Sequence, residues 1–187
     1  MKDRRTVLKG FVSGLVGLGA SAVLRAQGTD PHKMRPQEGD TFVYAFGHRE
    51  GETVRASGLE LESEQITCYA KDVESGVVRD GSRLNQVIMC RFSPDDLSEE
   101  TRAVAADGVV AYSAICPHTG CDISEWADES ANALCSCHES EFDLRDGAVV
   151  IGGPAPRRLP HLPLRSEDGV LVAAAGFSAK VRFQKEL

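Results

Sequence analysis

The chain has 187 residues, enough for one core with a short extension and too few for the usual two-domain enzyme. Its 42% hydrophobic and 26% charged residues exclude a disordered chain and a polytopic membrane protein. Twenty-one Lys and Arg against 28 Asp and Glu give a net charge of -7, the wrong sign for gripping a phosphate backbone, so nucleic acid is excluded as a partner.

Residues 1–26 follow the plan of an export signal. Lys2, Arg4, Arg5 and Lys9 form a basic start, Gly10 to Leu24 carries no charge, and Ala20, Ala22 and Ala26 supply small residues near a cleavage point. The Arg4-Arg5 pair points to the twin-arginine route, which exports folded proteins and so suits one whose cofactor is inserted beforehand. The uncharged stretch is shorter than the ~20 residues that span a bilayer as a helix, which favours cleavage. An uncleaved signal would tether the chain to the inner membrane. Cleavage removes five basic residues and one acidic one and leaves a net charge near -11. That field favours a partner with a basic docking face, such as a periplasmic cytochrome c.

Residues 27–40 are polar and hold Pro31 and Pro36, so they read as a linker, with His32 solvated. Short β-branched or aromatic runs follow at residues 41–46, 64–70, 86–92 and 109–115, separated by Gly, Asp and Ser. Ser93-Pro94-Asp95-Asp96 offers an N-cap, a Pro at the first helical position and early acids, predicting a helix that continues over residues 97–105. Further strands are predicted at residues 147–151, 162–165, 169–175 and 179–183, with turns at Arg145-Asp146-Gly147 and Glu167-Asp168-Gly169. The body is therefore all-β.

Six Cys and five His are the chemically informative residues, and most of them meet in one place. Cys116-Pro117-His118-Thr119-Gly120-Cys121 is followed by Cys135-Ser136-Cys137-His138-Glu139-Ser140, with 16 residues between His118 and Cys135. Each short loop offers one Cys and one His. Two Cys and two His also suit a tetrahedral structural zinc, but the C-x-H step and the surplus cysteines at fixed offsets have no use there.

The paired boxes resemble those of the Rieske [2Fe-2S] family, and the resemblance runs over residues 109–163. It implies that Cys116 and Cys135 hold the inner iron and that His118 and His138 hold the outer one. Two thiolates and two neutral imidazoles leave the oxidised cluster uncharged, whereas four thiolates would make it an anion that resists reduction. Potentials are accordingly about -150 to +300 mV for this ligation, against about -400 mV for plant-type four-Cys clusters. By the same resemblance Cys121 and Cys137 form the loop-to-loop disulfide of the respiratory branch, which an oxidising compartment lets persist. Gly152-Gly153-Pro154-Ala155-Pro156 is similar to the Pro loop that closes over the cluster in that branch. Cys68 and Cys90 lie inside predicted strands and read as small buried hydrophobes.

Ser140 matches the residue whose hydroxyl donates to a bridging sulfide in quinol-oxidising members, which raises the potential. Two residues on, Phe142 stands where those members carry a Tyr that donates to a ligating thiolate. An intermediate potential follows. Thr119 and Glu139 replace Leu and Gly at the tip and make it more polar, which disfavours an apolar quinol pocket. Arg157 and Arg158 either pair with a redox partner or form a solvated face, and His48 and His161 have no assigned role.

The expected architecture is a Rieske fold of antiparallel sheets over residues 41–187, with residues 107–160 inserted as the cluster-binding subdomain. The expected function is periplasmic one-electron transfer as the small subunit or partner of a respiratory oxidoreductase, a molybdenum enzyme of the arsenite-oxidase kind, with no substrate site on this chain. Two alternatives are the iron-sulfur subunit of a quinol:cytochrome c oxidoreductase and a structural or sensing cluster.

Overall fold

The computed structural model describes residues 29–128 and 130–184, so the expected export signal over residues 1–26 lies outside the described residues. Two antiparallel sheets carry the fold. The base is six-stranded and contains β1 (Thr41–Tyr44), β2 (Ile66–Lys71), β3 (Val87–Arg91), β4 (Val109–Ser113), β9 (Leu164–Glu167) and β10 (Val170–Ala173), in the order β4-β3-β2-β1-β10-β9. The second sheet is four-stranded and takes β5 (Glu125–Ala127), β6 (Asn132–Cys135), β7 (Ser140–Asp143) and β8 (Val149–Gly152) in sequence order.

Successive residues of a strand face opposite sides of a sheet, and in β3 and β4 both sides are covered. Val87, Met89, Val109 and Ala111 join the core of the base with Phe42, Leu162 and Leu171. Their alternates Ile88, Cys90, Val110 and Tyr112 join a second core with Cys116, Cys135, Phe142 and Leu144. The β3–β4 hairpin is thus a shared wall, and this explains why its strands read as continuous apolar runs. The chain leaves the base at the end of β4 and returns beside it, where the Ser113 N–H donates to the Pro160 carbonyl at 2.9 Å and the Leu162 N–H to the Ala111 carbonyl at 2.8 Å. The buried Tyr112 hydroxyl donates to the Leu144 carbonyl at 2.9 Å, docking the second sheet on the base.

Several predicted elements differ from the structure. Ser93 makes no side-chain cap, and Pro94 opens a 3-10 turn over Pro94–Asp96. The helix, α1 (Glu99–Arg102), begins later, with Ser98 as the cap whose side chain accepts from the Thr101 N–H. The strand expected at residues 179–183 is absent, and an irregular tail runs there instead. The turn at Asp168-Gly169 does form, with both residues left-handed at φ 49° and 76°, the geometry of a two-residue hairpin.

The segment expected as a linker is docked on the base from residue 30 onward. Arg79 and Asp40 are 2% and 3% exposed and form a bidentate pair at 2.6 and 2.8 Å. Asp72 accepts from the same guanidinium at 3.1 Å. Arg35 donates to the Leu84 carbonyl at 2.6 Å, and buried Asn85 donates to the carbonyls of Met34 and Arg79, both at 2.8 Å. His32 is exposed, as expected, and pairs with Asp80 at 2.9 Å. Among the described residues no helix is long and apolar enough to cross a membrane.

Candidate metal centre

The first box forms as β4 runs out. The Cys116 N–H donates to the Cys121 carbonyl at 2.8 Å and the Gly120 N–H to the Cys116 carbonyl at 3.0 Å, closing a tight loop with Gly120 left-handed at φ 88°. The second box is the turn of the β6–β7 hairpin, in which Cys135 opposes Ser140 and the Glu139 N–H donates to the Cys135 carbonyl at 2.9 Å. Glu139 itself is left-handed at φ 58°, a conformation that costs an ordinary residue roughly 1 kcal/mol and that Gly adopts freely.

These two loops bring the four expected ligands into one place, sorted by chemistry. The Cys116 and Cys135 thiols are free and buried, and both belong to the second core. Burial pushes the Cys116 thiol up to about 11, partly offset by a backbone bond from His118 and a side-chain bond from Ser140. His118 is half-buried and His138 exposed. Their Nδ1 atoms converge to 3.2 Å, with ring centroids 4.6 Å apart and planes at 86°. Two thiols on the protein side and two imidazole nitrogens on the solvent side are a donor set that fits a mixed-ligand [2Fe-2S] cluster.

Cys121 and Cys137 form a disulfide, so the two loops are covalently joined. The sulfurs of Cys121, Cys135 and Cys137 lie within 4.8 Å of one another, but two of the three are spent in that bond. Behind the thiols, the Ala155 N–H of the Pro loop donates to Ser140 Oγ at 3.1 Å. That leaves the buried hydroxyl with its own proton free to donate. A side chain on Gly153 would lie 2.5 Å from the Glu139 carbonyl, so the loop can lie against the second box only with Gly at that position. Pro154 is exposed while Ala155 is buried. Phe142 is fully buried beside Cys135 in the second core.

The strand cysteines Cys68 and Cys90 are buried free thiols, Cys68 in the core of the base and Cys90 in the second core. Cys68 donates to the Val87 carbonyl at 3.5 Å and Cys90 to the Ser63 carbonyl at 3.1 Å. Burial pushes the Cys90 thiol up to about 12 and raises Cys68 as well. Arg157 donates to the Arg182 carbonyl of its own chain, and His161 sits half-buried with its N–H on Ser178 Oγ at 3.0 Å.

A family model for the Rieske [2Fe-2S] domain matches residues 63–163. The chain belongs to the Rieske [2Fe-2S] family. Over 97 residues this Rieske chain is 41% identical to the cytochrome bc1 complex Rieske iron-sulfur subunit of Streptomyces lividans, spanning 51% of this chain and 57% of that one. It is 34% identical over 122 residues to a respiratory nitrate reductase Rieske subunit of Haloferax mediterranei, spanning 64% and 52% of the two chains. The cytochrome bc1 complex Rieske subunit of Mycobacterium tuberculosis is 31% identical over 165 residues, or 82% of this chain and 36% of that one. The matches thus span between about a third and three-fifths of these relatives. A cyanobacterial plasma membrane Rieske protein of Synechocystis superposes with a TM-score of 0.39 at 20% identity, covering 60% of this chain and 87% of that one. The cofactor is a [2Fe-2S] cluster and the chemistry is Rieske-type electron transfer.

Sequence reasoning missed two groups around the site. Arg83 reaches from the base to donate to the Gly120 carbonyl at 2.5 Å and to Asp122 at 2.7 Å. The tail contributes Gln184, whose N–H donates to the His118 carbonyl at 2.9 Å and to Pro117 at 3.3 Å. Neither carries a local signal, because each acts across a long stretch of sequence.

Proposed function

We propose that this Rieske chain is the exported one-electron carrier of a larger respiratory oxidoreductase, with Cys116 and Cys135 on the inner iron and His118 and His138 on the outer one. The observation that carries the reading is the sorting of donors, thiols buried and imidazoles toward solvent. When bound, the cluster supplies one-electron redox chemistry at the potentials of mixed ligation. The chain's own residues do the rest. Ser140 offers a proton toward the thiolate side, Phe142 and Ala155 keep that side dry, and the imidazole edge offers the short route to a partner. Export is supported by the basic and uncharged stretches of residues 1–24, and an oxidising compartment by the Cys121–Cys137 bond.

For the partner we favour a large oxidoreductase subunit of the arsenite-oxidase kind, a molybdenum enzyme, with a basic cytochrome c as the other redox contact. Half-buried Thr119 and exposed Glu139 make the tip polar, a poor match for an apolar quinol site. A second reading, the iron-sulfur subunit of a quinol:cytochrome c oxidoreductase, is favoured by the names of the Streptomyces and Mycobacterium relatives. That role needs a head that swings on its tether, and the Asp40–Arg79 pair weighs against swing within residues 30–40.

Affinity purification from native periplasm and membrane fractions, with N-terminal sequencing, tests the choice. A soluble chain cleaved near residue 26 and bound to a large molybdenum subunit is the expected result. A membrane-retained chain that co-purifies with cytochromes b and c would overturn it in favour of the second reading.

A further inference from the structure

The structure assigns a role to the carboxy-terminal tail: residues 181–184 form a clasp that positions the His118 loop and joins it to the Pro loop. The inference rests on the reading of His118 as a cluster ligand. The tail is anchored by buried Val181. From there it touches the cluster covers at three points in succession. The Arg157 guanidinium, one residue past the Pro loop, donates to the Arg182 carbonyl. The Phe183 ring lies on Gly120 so closely that a side chain there would stand 2.6 to 2.8 Å from three ring carbons. The Gln184 N–H then donates to the carbonyl of His118 itself at 2.9 Å.

These contacts close a circuit. Arg83 holds the Gly120 carbonyl from the base, the tail holds the same loop from outside, and Arg157 links the tail to the Pro loop that lies on Glu139. The disulfide completes the circuit between the two boxes. Gly120 therefore has a second reason to be Gly besides its left-handed backbone, since it is the seat of Phe183. A bond to the His118 carbonyl restricts the backbone that sets its imidazole direction. The ring, 37% exposed, keeps water from the loop's backbone bonds. Phe183 is a positioning residue, and the clasp sets how often the His118 side of the cluster opens to solvent.

The test uses the full-length, cluster-loaded protein and three variants: Phe183→Ala, Phe183→Leu and a deletion of residues 183–187. Three quantities are read: the rate of visible bleaching in excess chelator, the reduction potential, and the thermal unfolding of the base by circular dichroism. Phe183→Ala and the deletion are expected to bleach about tenfold faster, a factor equivalent to about 1.4 kcal/mol. Both should also have shifted potentials and an unchanged unfolding temperature, with Phe183→Leu recovering most of the wild-type behaviour. Wild-type bleaching and potential in both the Ala and deletion variants would overturn the clasp, as would bleaching that rises only in step with a fall in unfolding temperature. Absence of a mixed-ligand spectrum from the unmodified protein would overturn the ligand reading instead.

Discussion

In the six-stranded base, Phe42, Val87, Met89 and Leu171 are almost fully buried on one continuous apolar face, and each contributes roughly 1.5–3 kcal/mol by leaving water, apart from the small Val at the low end. The four-stranded insertion, besides its share of the second core, carries cross-links: a disulfide, Arg145 bonded to the Ser130 carbonyl at 2.7 Å and to Asn132 at 3.0 Å, and Glu141 accepting from Ser130 at 2.6 Å and Asn132 at 2.8 Å. Those two hydrogen bonds hold the Glu141 carboxyl below its usual range. The difference teaches how the labour is divided. The base supplies stability by area, and the insertion supplies geometry by specific bonds, leaning on the base through the β3–β4 wall.

Five variants break or sharpen that contrast. Cys116→Ser should have the largest effect, complete loss of cluster absorbance, while circular dichroism shows the base sheet retained, because Cys116 belongs to the second core alone. A base that unfolds with the cluster would erase the distinction. Arg79→Ala should come next. It leaves Asp40 buried and unpaired at a cost of about 3–5 kcal/mol in urea unfolding, with the cluster spectrum of the folded fraction unchanged.

Replacing both Cys121 and Cys137 by Ser removes a cross-link across a separation of 16 residues. In the cluster-free protein the insertion should lose about 3 kcal/mol, and in the loaded protein less, because the ligands already tie the same two loops. Differential scanning calorimetry of both forms checks this, and an equal loss in the two would contradict it. The smallest effect is electronic. Phe142→Tyr introduces a hydroxyl beside Cys135 and should raise the reduction potential, whereas Ser140→Ala should lower it. Voltammetry that finds Phe142→Tyr unchanged or lowered would contradict the hydrogen-bond account of tuning.

How much of this was legible follows the same division. The base strands announced themselves as short β-branched or aromatic runs bounded by turn residues, because strands that are buried on a sheet demand those side chains. The runs over residues 41–46 and 86–92 became β1 and β3 within a few residues. The boxes were legible because ligand chemistry is local. Strands β5, β6 and β7 were not, since Glu125–Ala127 and Ser140–Asp143 hold too few apolar residues to show a period and form only once loops are pinned around them. The helix was misplaced because Ser93-Pro94 and Ser98 offer rival starts, and only Ser98 has Thr101 in reach of its cap. The tail over residues 179–183 has strand composition, yet its neighbours Gly120 and His118 leave no free strand edge to pair with.

The most direct test of the central claim is Mössbauer spectroscopy of the iron-enriched protein in its oxidised and one-electron-reduced forms. The account predicts two inequivalent irons per chain, with the added electron localised on the iron that His118 and His138 hold, and a change confined to that iron's signal in a His138→Cys variant that retains its iron. Two equivalent irons in the unmodified protein, or a single bound zinc in their place, would contradict it.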